Sequence, residues 1–250
     1  MAKERLKIIQ AGTLWMAVQY TAIRSANQTA RREARSQIST PARESLNARL
    51  SWQKLMLVLA ANFHSTDLVV TLTYRDDDLP KTKDEADKRL KAFLRAFREE
   101  RKAAGMLLKR VRVTEGYHSS GRLHHHLIIN ATGGDYEIIR RLWQRNGDNI
   151  DFEPFGIDGP ERWAKYLTKE PREKGRRYVG ERTWTTSRNM RKPIVSCGYV
   201  PAETALSPPP DALVLDKAQC ENCYGRFQYM MARMPESKTE YPENQTWGSV

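Results

Sequence analysis

Three consecutive histidines, His124, His125 and His126, stand out among the five in the chain. The residues around them, Leu123–Ile129, read as a β-strand. On a strand, residues two apart share a face, so His124 and His126 project together and His125 points the other way. Two neutral imidazoles at that spacing form a natural two-ligand metal platform. A third ligand follows from hairpin geometry. Lys109–Glu115 alternates basic and apolar residues and reads as the preceding strand. With His118-Ser-Ser-Gly121 as a four-residue loop, Glu115 falls opposite His124, about 5 Å away on the same face. One carboxylate and two imidazoles leave room for water and phosphate oxygens, which suits Mg²⁺ or Mn²⁺ acting as a Lewis acid. The competing reading is a set of surface histidines on a wet sheet face. A slip of one residue would turn Glu115 to the other side.

A second candidate lies in Arg162-Trp-Ala-Lys-Tyr-Leu-Thr-Lys169. Asp158-Gly-Pro-Glu161 ahead of it has the pattern of a helix start. At 100° per residue, Trp163, Ala164 and Leu167 form an apolar arc with Tyr166 at its edge. Arg162 and Lys169, four before and three after, lie on the polar side of Tyr166. Such cations would hold a phosphate and favour the phenolate, which makes Tyr166 a candidate nucleophile. The plainer reading is a tyrosine that buries its ring.

The elements that must position these groups read as α+β with a mostly antiparallel sheet. Residues 1–60, rich in Ala, Arg, Gln and Leu, are expected to form a basic helical N-terminal region. Leu68-Val-Val-Thr-Leu-Thr-Tyr74 reads as a buried strand. Thr82-Lys-Asp-Glu85 has capping-box spacing and opens a helix over 83–103, with Leu90, Phe93, Leu94 and Phe97 on one stripe. Asp135 is expected to cap a helix carrying Ile138, Ile139, Leu142 and Trp143, and a short strand is expected near 149–153. The order is helix, strand, helix, hairpin, helix, strand, helix.

The chain has 250 residues and a formal net charge of +12. Residues 1–54 hold ten basic residues against three acidic, and 158–200 hold eleven against five. From 201 onward four basic residues face seven acidic ones. These numbers predict a polyanionic partner, nucleic acid foremost, with a solvated charged face as the plain alternative. Ser207-Pro-Pro-Pro210 suggests a boundary, so the expected regions are 1–60, a catalytic domain over 61–200, and a flexible acidic tail over 201–250. The longest apolar run, Leu55–Ala61, is far short of a membrane span, and the N-terminus does not read as a signal peptide, so a cytoplasmic protein is expected. Cys220-Glu-Asn-Cys223 has the spacing of half a zinc site, with reduced surface thiols as the alternative.

In this order, Val70-Thr-Leu-Thr-Tyr74, Glu115, His124-His-His126 and Tyr166-Leu-Thr-Lys169 resemble the HUH-type rolling-circle replication initiators, specifically the single-tyrosine group of small phages and related plasmids. Ala60-Ala-Asn-Phe63 and Trp184–Pro193 are similar too, so the resemblance covers roughly residues 45–195. It implies that Glu115, His124 and His126 hold the metal, that Tyr166 is the nucleophile and that Lys169 assists it. The family's middle position is usually hydrophobic, and here it is His125. Position 162 is Arg, which argues against the two-tyrosine subgroup. The implied fold is a five-stranded antiparallel sheet with the histidines on a central strand and the tyrosine on a facing helix.

The implied activity nicks and rejoins single-stranded origin DNA through a 5′-phosphotyrosine link, leaving a 3′-OH for a host polymerase. No nucleotide-binding glycine-rich loop is visible, so a helicase would be a separate partner. Arg162, Lys165, Arg188 and Lys192 are expected on the DNA, with the run from Arg172 to Lys192 following its backbone. Trp184 either stacks on a base or packs in the core. Rival readings are a relaxase or transposase of the same chemistry, or a non-catalytic nucleic-acid-binding regulator.

Overall fold

The structure, a computed structural model, describes residues 3–21, 41–116, 122–147, 149–169, 183–222 and 225–235. The chain divides into two compact units, Gln37–Met190 and Met1–Ser36 with Arg191–Val250.

In chain order the elements are β1 (Lys3–Ala11), β2 (Leu14–Thr21), α1 (Pro41–Ala60), β3 (Leu68–Thr73), α2 (Lys83–Ala103), β4 (Arg110–Glu115) and β5 (His124–Ile129). There follow α3 (Asp135–Trp143), β6 (Ile150–Pro154), α4 (Gly159–Leu167), β7 (Thr185–Thr186), β8 (Ile194–Pro201), β9 (Leu213–Asn222) and β10 (Gly225–Arg233). A 3₁₀ turn spans Asp76–Asp78. This is α+β, as expected, with two five-stranded antiparallel sheets. No described helix is long and apolar enough to cross a membrane.

The sheet of the Gln37–Met190 unit has the order β6-β3-β5-β4-β7, which puts the histidine strand at its centre. Its two faces are set by residue parity. Leu68, Val70, Leu72 and Tyr74 share one face with Leu127 and Ile129, and pack on Leu90, Phe93, Leu94 and Phe97 of α2 and Ile139 and Trp143 of α3. Each such apolar side chain contributes about 1.5–3 kcal/mol on burial. Helix α2 begins where the capping box places it: the Thr82 hydroxyl accepts from the Glu85 N–H at 3.2 Å. Its last turn is held by Arg101, which is buried and donates from Nε and Nη2 to the two Asp135 oxygens at 2.8 and 2.7 Å.

That pairing corrects the expected role of Asp135. Gly134 occupies the N-cap position of α3 without a side-chain cap bond. Asp135 turns inward because a fully buried guanidinium needs a buried carboxylate more than a helix end needs a cap.

The N-terminal segment is also corrected. Residues 3–21 are not helical: β1 and β2 form a hairpin in register Ala11↔Leu14. Gly12, at φ 58, takes the first position of a two-residue turn, where a side chain would be strained. Leu6, Ile8, Met16 and Val18 carry the period-two signal that overall composition conceals. Only Pro41–Ala60 is helix among the described residues of the first sixty. The acidic segment is likewise not a flexible tail over 213–233. There β9 and β10 complete the sheet β8-β1-β2-β10-β9, with Met231 paired to Met16. A strand whose partner lies some 200 residues away leaves little local trace.

Candidate metal and tyrosine site

The site stands on the sheet face opposite the α2–α3 core. Strand β4 pairs with β5 so that Glu115 lies across from His124, Thr114 from His125 and Val113 from His126. The loop expected at 118–121 falls outside the described residues. Gly116, at φ 97, starts the departure from β4, and a Cβ there would stand 2.6 Å from the Arg122 carbonyl oxygen.

Glu115, His124 and His126 converge: their ligand atoms all lie within 4.8 Å of one another. The two Nε2 atoms are 3.1 Å apart, and Glu115 Oε2 is 3.6 Å from the first and 3.7 Å from the second. Hydrogen bonds orient both rings. His124 Nδ1 lies 2.7 Å from the Arg122 carbonyl, which only accepts, so Nδ1 carries the proton and Nε2 is left with its lone pair. His126 Nδ1 meets the Thr71 hydroxyl at 3.0 Å, directly across the β3–β5 register. When Nδ1 donates there, His126 Nε2 is a ligand atom as well. Two facing lone pairs and a carboxylate repel unless a cation lies among them.

Glu115 is buried, and its Oε1 has no hydrogen-bond partner. Burial alone would raise its pKa. The His124 and His126 imidazoles beside the carboxylate, with the charge of Lys169, outweigh that and bring it down to about 2. It is therefore a carboxylate at neutral pH. An orphaned carboxylate oxygen beside two converging Nε2 atoms fits a divalent cation; the donor set does not say which.

His125 points into the α2–α3 core, as the parity of the strand requires. Its Nε2 is 2.7 Å from the Tyr74 hydroxyl and its Nδ1 is 2.8 Å from the Thr114 hydroxyl. The ring packs edge-on against Tyr74 and Trp143. Burial foremost, with the nearby charges of Arg112, His124 and His126, lowers its pKa to about 3, so it is neutral.

Helix α4 buries Trp163, Ala164 and Leu167 and leaves Tyr166 38% exposed. The Tyr166 ring meets His126 edge-on, with centroids 5.4 Å apart. Lys169 Nζ lies 3.9 Å from the Tyr166 ring centroid. The structure thus brings together Glu115, His124, His126, Tyr166 and Lys169.

The expected DNA contacts are placed differently. The Arg162 guanidinium binds Glu153 at 3.1 Å and stacks over Trp163. Lys165 and Arg188 are exposed. Trp184 is half-buried, and its indole donates to Ser51 of α1 at 3.1 Å. Lys192 is exposed and belongs to the other unit. The run from Arg172 to Arg182 is outside the described residues, as is Cys223. Cys220 is an exposed free thiol on β9.

Sequence reasoning missed Thr71, Tyr74 and Thr114 as groups that hold the imidazoles. Their only local sign is a threonine-rich strand, which β-propensity already explains.

No curated protein and no solved structure matches the chain. Residues 67–172, which run from the start of β3 past α4 and include all five converging side chains, match the family model of the ORF2-type replication-associated proteins. That similarity supports a replication-associated role.

Proposed function

We propose that the protein initiates rolling-circle replication by nicking and rejoining single-stranded origin DNA at Tyr166. The observation that carries this reading is the meeting of the Glu115–His124–His126 cluster with a half-exposed tyrosine under a lysine. A divalent cation held by Glu115 Oε2 and the two Nε2 atoms would supply Lewis-acid polarisation of a phosphate oxygen.

The chain's own groups do the rest. Thr71 and the Arg122 carbonyl hold both imidazoles with Nε2 inward. The Tyr166 ring is braced edge-on between His126 and Trp163. Its oxygen bonds to phosphorus and gives up its proton. The bond from phosphorus to the 3′ oxygen breaks, and that oxygen takes up a proton to leave as the 3′-OH. Lys169, beside the ring, offsets negative charge developing on the phosphate. The phosphotyrosine retains a phosphodiester, so a later 3′-OH can reverse the step. With a single tyrosine on α4, each monomer makes one such link at a time.

The test is a covalent-adduct assay on labelled single-stranded oligonucleotides tiling the source genome, with Mn²⁺ or with EDTA, resolved on a denaturing gel. A metal-dependent, protein-sized band that disappears in Tyr166→Phe is expected. Salt-sensitive DNA binding with no adduct in any metal would overturn the mechanism in favour of a binding regulator.

A further inference from the structure

The β8-β1-β2-β10-β9 sheet lies outside the matched segment, and the nicking chemistry does not use it. Directly paired residues of antiparallel strands face the same side. Arg5 pairs with Tyr199 on β8 and with Tyr20 on β2, and Tyr20 pairs with Phe227 on β10. Four neighbouring strands therefore present Tyr199, Arg5, Tyr20 and Phe227 as one row across one face. Two residues to either side along β1, on the same face, stand Lys3 and Lys7.

Three residues of the row are open to solvent, while Tyr20 and the neighbouring Lys7 are half-buried. Tyr199 is 64% exposed and Phe227 is 42% exposed, while Lys3 and Arg5 are also exposed. Glu4, the acid within β1, takes the other parity; there it is buried, with Gln19 donating to it at 2.7 Å and the Arg226 guanidinium paired with it at 3.4 Å. The face thus pairs large rings with cations, and the neighbouring acid is turned away from it.

We infer that this face is a second binding surface for single-stranded DNA, in which Tyr199 and Phe227 stack on bases and Lys3, Arg5 and Lys7 follow the phosphates. Flat rings without directional hydrogen bonding accept any base, and cations spaced along one strand suit a polyanionic backbone. A duplex hides its bases from such rings, which selects single strands. The surface extends the proposed function to DNA beyond the scissile phosphate. It rests on that reading only in taking nucleic acid over other polyanions, and it does not require Tyr166.

The test uses the full chain and a fluorescein-labelled oligothymidylate of about 30 nucleotides, longer than a typical site of about 4–16. Anisotropy is recorded over a salt series. Tyr199→Ala with Phe227→Ala should weaken binding at least about tenfold, since each lost stack is worth about 5- to 150-fold. Tyr199→Trp should restore part of it. Arg5→Gln with Lys7→Gln should reduce the salt slope by about 0.7 per phosphate contact.

The exposed thiols of Cys197, paired with Lys7, and Cys220, paired with Phe227, flank the face. Oligothymidylate should protect both from alkylation, as read by mass spectrometry, and this readout involves no substitution.

Tyr166→Phe should bind the oligothymidylate as the wild type does. A wild-type protein that binds the oligothymidylate but forms no adduct on any origin oligonucleotide would therefore sink the nuclease and leave this surface standing. Unchanged affinity and slope in the variants, or unprotected thiols, would overturn the inference. So would a concentration-dependent dimer abolished by the Tyr199 and Phe227 substitutions, because the face would then join two copies of the chain.

Discussion

Replacing Thr71 with valine tests whether the ligand geometry is held from outside the ligand set. Valine matches threonine in shape and strand preference but cannot hydrogen-bond to His126 Nδ1, now 3.0 Å from the hydroxyl. The register of β3 on β5 should persist, because Thr71 and His126 are paired through backbone atoms. What changes is the imidazole. Without a partner at Nδ1, the ring can carry its proton at Nε2, the atom that faces Glu115 and His124. Losing one such hydrogen bond amounts to about 0.5–1.5 kcal/mol. Partners that orient metal ligands typically change affinity about 10- to 100-fold, so a tenfold loss of Mn²⁺ affinity is the working expectation. Titration calorimetry with Mn²⁺ measures it. Thr71→Ser should restore binding because it keeps the hydroxyl. Thr114→Val is the matched control: its hydroxyl serves His125 on the other face, so that change should lower stability and leave Mn²⁺ binding alone. Equal Mn²⁺ affinity in wild type and Thr71→Val would refute the reasoning, as would an equal loss in both valine variants.

Three further outcomes are expected. Asp135→Asn or Arg101→Met, each breaking a pair with both side chains fully buried, should destabilise by about 3–5 kcal/mol in urea unfolding, and replacing both partners with apolar residues should recover much of the loss. In the metal-free protein, His125 stays neutral down to about pH 3, whereas in the unfolded chain it protonates near its ordinary value of 6.5. The unfolded state then binds the extra proton between those values, so stability should fall by about 1 kcal/mol per pH unit as pH drops from 6.5. Glu115, lowered to about 2, acts in the same direction but only below its ordinary 4.5, so unfolding at pH 6.5 and pH 5 separates His125 from Glu115, and His125→Gln should flatten that interval. Gly116→Ala should cost about 1–3 kcal/mol in thermal unfolding, from the positive φ and the crowded Arg122 carbonyl, and should weaken Mn²⁺ binding by displacing Glu115.

Much of the candidate site was legible as spacing. The i, i+2 rule separates His125 from its neighbours whatever the strand packs against. Taking the loop as four residues puts Glu115 across from His124, the register that β4 and β5 adopt, and the 3.6-residue period leaves Tyr166 at the rim of the α4 arc. These are local geometries, dictated by the backbone within a dozen residues. The α2 helix was legible for the same reason: its cap, stripe and stop lie within one stretch of chain.

Long-range pairing supplied the rest. Thr71 reaches His126 only because β3 joins β5 in one register across some fifty residues, and a shift by one would have turned its hydroxyl away. Asp135 reads as a cap until Arg101, one helix earlier, is seen to need it. The hairpin of β1 and β2 was hidden under a helix-like composition, although Gly12 marked its turn. The sheet it joins exists only because β8, β9 and β10 return from beyond residue 190 to pair with it. By itself the sequence determined which side chains share a strand face or a helix edge, because backbone periodicity is local. Only the tertiary structure decided which strands lie side by side, because backbone hydrogen bonding is the same for every sequence and partner choice is made by the burial of the whole chain.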